Sequence, residues 1–225
     1  MRILSRILDK HLSKNEGELG YFGLTAWWTS SFSRTEQMHM EQALLTPELP
    51  ARCRPLTKDR GLLGVQSAAG LLTILADRLS EKAEDRGLAC RVLAKAEERA
   101  IAEDDVLGLH FAYHQTIRLH CRWRERFADS MDLAFAACHK QIKLASYAVK
   151  AFHEKSPCEP LPTHLGYLQA ANILEQQGAY AQAIEICRQA QSEGWTGNWP
   201  WRIQRLARKL PSSMRPISQS GIGRV

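Results

Sequence analysis

The 225-residue sequence predicts an all-α chain, built of antiparallel helix pairs behind an irregular helical N-terminal segment. Three observations lead there. Apolar side chains recur every third or fourth residue in one stretch after another, which is the spacing that lines one face of a helix. No run of useful length alternates apolar and polar residues as a half-buried strand would. The 14 glycines and 9 prolines fall largely between the periodic stretches, where they end helices instead of interrupting them.

The elements follow in order. Ile3, Leu4, Ile7, Leu8 and Leu12 predict a short amphipathic helix over 2–14, ended by Asn15-Glu16-Gly17. Tyr21, Phe22, Trp27, Trp28 and Phe32 then cluster on one or two short helices. They either seal the N-terminal helices against 64–79 or form a surface patch, and core is the commoner use of such a cluster. Ser33-Arg34-Thr35-Glu36 has the form of a capping box, starting a helix that ends near Thr46-Pro47.

Residues 47–62 carry Pro47, Pro50, Pro55 and Gly61 among polar and basic side chains. They read as a long loop and as the main internal boundary, dividing an N-terminal segment (1–62) from a repeat domain (63–210). Gly64 to Leu79 is apolar on a broad face through Val65, Ala68, Ala69, Leu72, Leu75 and Leu79. Residues 82–102 put Leu88, Val92, Leu93 and Ala96 inward and Glu81, Glu84, Arg91, Lys95 and Glu98 outward. Asp104-Asp105 sets carboxylates at the start of a helix over 105–124, where the helix dipole favours them. A helix over 128–153 follows. The run Ser156 to Pro162 breaks the chain before a helix pair at 163–177 and 180–193. A last helix over 198–210 has a stripe of Trp199, Ile203, Leu206 and Leu210 that should pack on the preceding pair as a capping helix with a solvated basic outer face, and a flexible basic tail (211–225) is expected beyond it.

Composition narrows the function classes. With 44% hydrophobic and 24% charged residues the chain is an ordinary globular protein. No stretch reaches the ~18 consecutive apolar residues that a membrane span needs. The first residues have charges inside their apolar pattern, so they lack the unbroken apolar centre of a signal peptide. None of the six cysteines forms a Cys-x-x-Cys pair, and Cys90, Cys121, Cys138 and Cys187 fall inside amphipathic helices. A reduced, cytoplasmic compartment is expected. The net charge of +6 is local: Asn198 to Val225 holds Arg202, Arg205, Arg208, Lys209, Arg215 and Arg224 with no acidic residue, and the rest of the chain is neutral overall.

The segment from Leu165 to Trp195 carries a family pattern. Tyr167, Ala170, Ala171 and Leu174 share one face of the first helix, Gly178 and Tyr180 mark the turn, and Ala183, Cys187 and Ala190 line the second helix. Small side chains let two helices approach closely while the tyrosines fill the gaps beside them. This resembles a tetratricopeptide (TPR) repeat. Cys187 stands where the family prefers a larger aromatic, and Trp195 where it prefers proline. The pairs 64–79 with 82–102 and 105–124 with 128–153 have the same rhythm with looser spacing, enough for a three-unit right-handed solenoid. Taken whole, the chain resembles bacterial tetratricopeptide-type proteins. The resemblance implies a concave groove lined by the first helix of each pair, here by Leu165, Leu168, Asn172, Glu175 and Gln176, and implies scaffold or adaptor binding of a protein partner. Some relatives hold a peptide's terminal carboxylate with Lys and Asn. Asn172 fits that pattern but Leu168 stands where the Lys is needed, so this activity is not carried over.

No catalytic, cofactor or metal site is expected. His110 and His114 stand four apart on a helix, with His120 and Cys121 beyond them, but Phe111 occupies the position where the zinc-protease pattern needs a general base. Cys138-His139 and His120-Cys121 are adjacent in sequence, so on a helix they point ~100° apart, poorly placed for a nucleophile and its base. Gly61 to Gly64 lacks the Lys-Ser/Thr of a phosphate loop. The alternative to a scaffold is association with nucleic acid or another polyanion through Trp201, Arg202, Arg205, Arg208 and Lys209, since phosphates need cations and a base can stack on an exposed indole.

Overall fold

The structure, a computed structural model, describes residues 17–45 and 53–210. The helix expected at 2–14, the start of the 47–62 loop and the tail at 211–225 lie outside them. All the regular structure of the described residues is helical. They pack as two compact units, one ending at Met131 and the other beginning at Asp132.

The first unit holds α1 (Gly17–Tyr21), α2 (Thr25–Ser31), α3 (Arg34–Ala43), α4 (Ala68–Leu79), α5 (Arg86–Ala102) and α6 (Val106–Arg122). The aromatic cluster is core. Trp28 and Phe32 are buried with Leu19, Leu24 and Met40 against Leu71, Leu72, Leu75 and Leu79 of α4, with Phe22 and Trp27 packed at the margin. Tyr21 alone of the five is exposed, under the Arg60 guanidinium. The capping box at Ser33 and Glu36 forms in both directions.

The described part of the loop, 53–62, is pinned by two buried carboxylates. Glu41 accepts from the Thr57 amide at 3.0 Å, the Thr57 hydroxyl and the Leu56 amide, while Glu18 accepts from the Gly61 amide at 2.7 Å. Backbone bonds from Glu18 and Leu19 to the Pro55 and Leu56 carbonyls complete the clasp. Gly17 is needed there: its φ is +58, and a Cβ would fall on the Leu56 carbonyl.

Three boundaries differ from expectation. Helix α4 starts at Ala68, because the Ser67 hydroxyl caps it by accepting the Gly70 amide at 3.1 Å. A 3-10 turn, Ala83–Asp85, precedes α5. The single helix expected over 128–153 is two, α7 (Ser130–Lys143) and α8 (Ala145–Lys155). At Leu144 the ladder shortens to three-residue spacing (Leu144 amide to Gln141 carbonyl, Tyr147 amide to Leu144 carbonyl), although the backbone stays right-handed.

Helices α4 to α6 form an up-down-up triplet. Arg86 and Glu97 of α5 meet His120 and Tyr113 of α6, an antiparallel pairing. Gly108 of α6 abuts Ala69 and Arg118 reaches Asp77 at 3.0 Å, so α6 runs parallel to α4.

The second unit continues with α9 (Leu165–Gln176), α10 (Tyr180–Ser192) and α11 (Trp199–Ala207). The Tyr167 hydroxyl near the start of α9 donates to Glu193 just past the end of α10 at 2.8 Å, an antiparallel pair closed by Gly178. Ala170, Ala171, Ala183, Cys187 and Ala190 are buried, as close approach of the two helices requires. Helix α7 reaches α9 through buried Gln141, whose side-chain oxygen accepts the Gly166 amide at 2.7 Å.

Candidate functional site

Helix α9 uses one face for its pair and leaves another. Tyr167, Ala170, Ala171 and Leu174 are buried, whereas Leu165, Leu168, Asn172 and Glu175 are half-buried and Gln176 is exposed. The N-terminus of α9 is capped by buried His164, whose Nδ1 accepts the Tyr167 amide at 3.3 Å. The His164 ring also stands 4.6 Å from the ring of Trp195. Trp195 is therefore part of an aromatic knot where the repeat pattern has proline. Its indole N–H donates to Glu193, and its carbonyl accepts the indole N–H of Trp199 at 2.7 Å.

That last bond sets the course of α11. The helix opens at Trp199 with Pro200 in its first turn, a position where the missing N–H is harmless. Trp199, Leu206 and Leu210 are buried and Ile203 is half-buried, so the expected stripe packs inward. The polar side then falls along α9. Arg202 donates to Asn172 Oδ1 at 2.8 Å, Lys209 to Glu175 Oε1 at 2.7 Å, and Arg205 to Glu175 Oε2. These contacts run in register, so α11 lies parallel to α9, as α6 does to α4.

The two sets of residues singled out in the sequence are thus one face. Asn172 and Glu175 of the groove set are bonded to Arg202, Arg205 and Lys209 of the basic set. Leu165, Leu168 and Gln176 make no such bond to α11. Trp201 borders the cluster with 54% of its surface exposed, and the Arg205 guanidinium lies 5.1 Å from its ring centre. Arg208 is exposed on the far side. Burial pushes the Glu175 carboxyl up, but hydrogen bonds and charge from Lys209 and Arg205 outweigh it and hold the group below its ordinary value. The basic helix is not a freely solvated outer face, because three of its four cations turn back along α9.

Nothing at this face resembles a nucleophile and its base. Cys187, the nearest thiol, is buried, and burial pushes its pKa up, away from the reactive thiolate. In the first unit His110 is buried and held neutral down to about 4 by desolvation and then by His114. His114 and His120 are also lowered, first by burial. Among the described residues no three His, Cys, Asp or Glu side chains gather as a metal ion would need. No helix among them is long and apolar enough to cross a membrane.

Comparison with protein-family models, with curated proteins and with solved structures gives no match to this chain.

Of the residues that fix how α9 and α11 sit, Gln141 and His164 carry no signal in the sequence, and Trp195 shows only as a departure from the repeat pattern. The union of the two faces did leave one. Glu175 is the sole acidic residue of α9, and the segment that bonds it is the acid-free one.

Proposed function

We propose that the chain is a non-catalytic scaffold of tetratricopeptide-like helix pairs, acting in the cytoplasm, which holds a segment of a partner protein on the face shared by α9 and α11. The observation that carries this reading is the second stripe of α9. Leu165, Leu168, Asn172, Glu175 and Gln176 stay out of the helix-pair core, and cations of α11 reach across to Asn172 and Glu175 at one end of the stripe. Leu165 and Leu168 supply apolar anchors, while Asn172, Glu175 and the cations bound to them form the polar end. A stripe with both kinds of group can fix a segment's register as well as bury its surface.

A second reading has its own support. Arg205 and Lys209 share one carboxylate, Glu175, with Arg202 on the neighbouring Asn172, and an accessible indole lies beside them. Association with nucleic acid through that excess charge is the alternative.

The test is capture of partners from a native lysate, nuclease-treated and untreated, by the intact chain and by Leu168→Glu. A charge in the stripe should abolish retention of any partner held there, with helicity and melting temperature unchanged. Equal retention by both proteins rejects the stripe as the binding face. Retention that disappears on nuclease treatment moves the function to the nucleic-acid reading.

A further inference from the structure

We infer that the α9–α11 face is built for an acidic protein segment, with carboxylates about one helical turn apart and an apolar side chain beside them. This rests on the scaffold reading and adds the chemistry of the occupant.

The charge at the face does not close. Arg202 is bonded to a neutral amide, the Asn172 side chain, and its positive charge faces no carboxylate there. Glu175 must answer both Arg205 and Lys209, and each of its oxygens is already taken by one of them. Glu175 itself is nearly covered, with its side chain 13% exposed, whereas Arg205 and Lys209 keep 35% and 44%. An approaching molecule therefore meets the cations before the carboxylate. The other acids of the neighbouring helix are committed elsewhere: Glu185 to Arg188, and Glu193 to Tyr167, Trp195 and Gln189.

The donors are preorganised and unspent. A guanidinium has five N–H groups in a planar fork, and Arg202 makes one hydrogen bond. A carboxylate can dock on Arg202 without breaking its bond to Asn172, so acceptance needs no rearrangement of α11. Arg202, Arg205 and Lys209 lie on one side of α11 over ~10 Å, at ~1.5 Å per residue. Carboxylates spaced three or four residues apart on a facing helix match that length. Trp201 supplies a flat apolar surface at the edge, with Arg205 against it, where a leucine or isoleucine of the same segment can pack.

The same features disfavour a nucleic acid. Successive stacked bases call for several exposed aromatics along a basic groove, and this edge offers exposed Trp201 and, under Lys209, the half-buried ring of Tyr180. Three of the four cations are side-on to α9, which shortens the charged track to about two helical turns. A short acidic peptide fills such a patch, and a polynucleotide overruns it.

The experiment uses the full chain and fluorescence anisotropy. The probes are a labelled amphipathic peptide of repeated Leu-Glu-Glu-Leu units, the same peptide with every Glu replaced by Gln, and a single-stranded oligothymidylate of matched charge. The glutamate peptide should bind with a Kd that rises with salt, and the glutamine peptide about tenfold or more weakly, the margin a charged hydrogen bond gives over a neutral one. Arg202→Gln, which retains a donor for Asn172, should weaken the glutamate peptide by a similar factor with the circular dichroism unchanged. Trp201→Ala should weaken it without altering the salt dependence. Equal binding of the two peptides, binding of neither, or an Arg202→Gln variant that binds as the parent does overturns the inference. Tighter and more salt-sensitive binding of the oligothymidylate overturns it in favour of nucleic acid. A lysate partner lost with Leu168→Glu but kept with Arg202→Gln would leave the scaffold reading standing and this inference refuted. A partner kept with both variants would remove the face altogether.

Discussion

Glu175 shows how one side chain can tie three helices' worth of chemistry to one point. It lies on α9, binds Arg205 and Lys209 of α11, and its charge adds to the burial that raises the Cys187 thiol of α10. Replacing its carboxylate by an amide removes two charged hydrogen bonds and leaves Arg205 and Lys209 half-covered without a countercharge. Glu175→Gln should therefore destabilise the second unit by about 1–2 kcal/mol, at the modest end because both cations retain solvent. The pH dependence has a definite sign. The folded pKa lies below the ordinary 4.5, so the unfolded chain takes up the proton first. The stabilisation is complete above about pH 4.5 and fades as pH falls through the lowered value. His110 acts in a higher window: its folded value is about 4 against an ordinary 6.5, so the unfolded chain gains a proton there that the folded one refuses, and stability drains between those limits. Urea unfolding at pH 7, 5 and 3.5 separates the two. Parent and variant should lose stability in parallel from pH 7 to 5, where histidine dominates. Below that the parent should lose more, and the gap between them should narrow. A constant gap down to pH 3.5 would show that the Glu175 pairs contribute nothing to folding.

Helices α4 and α6, which lie parallel, begin in the same way. Ser67-Ala-Ala-Gly70-Leu71 and Asp105-Val-Leu-Gly108-Leu109 each place a capping oxygen on the amide of a glycine three residues on. Their separation falls in the range of helical repeats, about 34–47 residues. The second glycine is required by contact. A Cβ at Gly108 would meet the Asp105 carboxylate and stand 2.9 Å from the Ala69 Cβ, so it would push out the cap and force α6 off α4 together. Gly108→Ala should cost about 2–4 kcal/mol, combining a lost cap with overpacking, although alanine is the better helix former. A chemical melt reads it, and a variant as stable as the parent would mean the helices have slack that the geometry denies. Element by element, the signals that were legible are local ones. The capping box at Ser33 and the apolar stripes of α4 to α6 and α9 to α11 follow from spacing and hydrogen-bond chemistry inside a few residues. The break at Leu144 was not legible. Gln141 to Tyr147 contains no glycine or proline, and the interruption shows only in which carbonyl each amide selects. The loop clasp was hidden for another reason: Glu18 and Glu41 read as solvated charges until Leu56, Thr57 and Gly61 are brought to them from elsewhere in the chain.

Across the whole chain, charge and helix order meet at the C-terminal end. The basic excess read from composition was correctly located, but its meaning depended on direction, which composition does not carry. The stripe of Trp199, Leu206 and Leu210 packs inward and turns the adjacent side of α11, with its cations, toward α9. In this arrangement α11 packs on α10 and reaches α9 through its cations, and the consequence can be tested by deleting residues 198–225. The truncated chain would be electrically balanced, and a helix whose only task was to shed surplus charge into solvent could be lost without harm. Packed on α10 by a buried apolar stripe, α11 cannot be lost that way. Its three buried apolar side chains each contribute roughly 1.5–3 kcal/mol. Set against a domain stability of about 5–15 kcal/mol, that is enough to unfold the second unit. Deletion also leaves Glu175 half-covered with no cation and opens the α10 side where Cys187 is buried. The expected outcome is loss of the second unit's thermal transition, increased binding of an apolar dye, and a Cys187 thiol that reacts at the rate of an exposed one. The first unit, with its own core from Leu19 to Leu119, should keep its helicity. Should the truncated chain melt as the full one does with Cys187 still protected, α11 would be an appendage, and the face it shares with α9 would not be a permanent part of the protein.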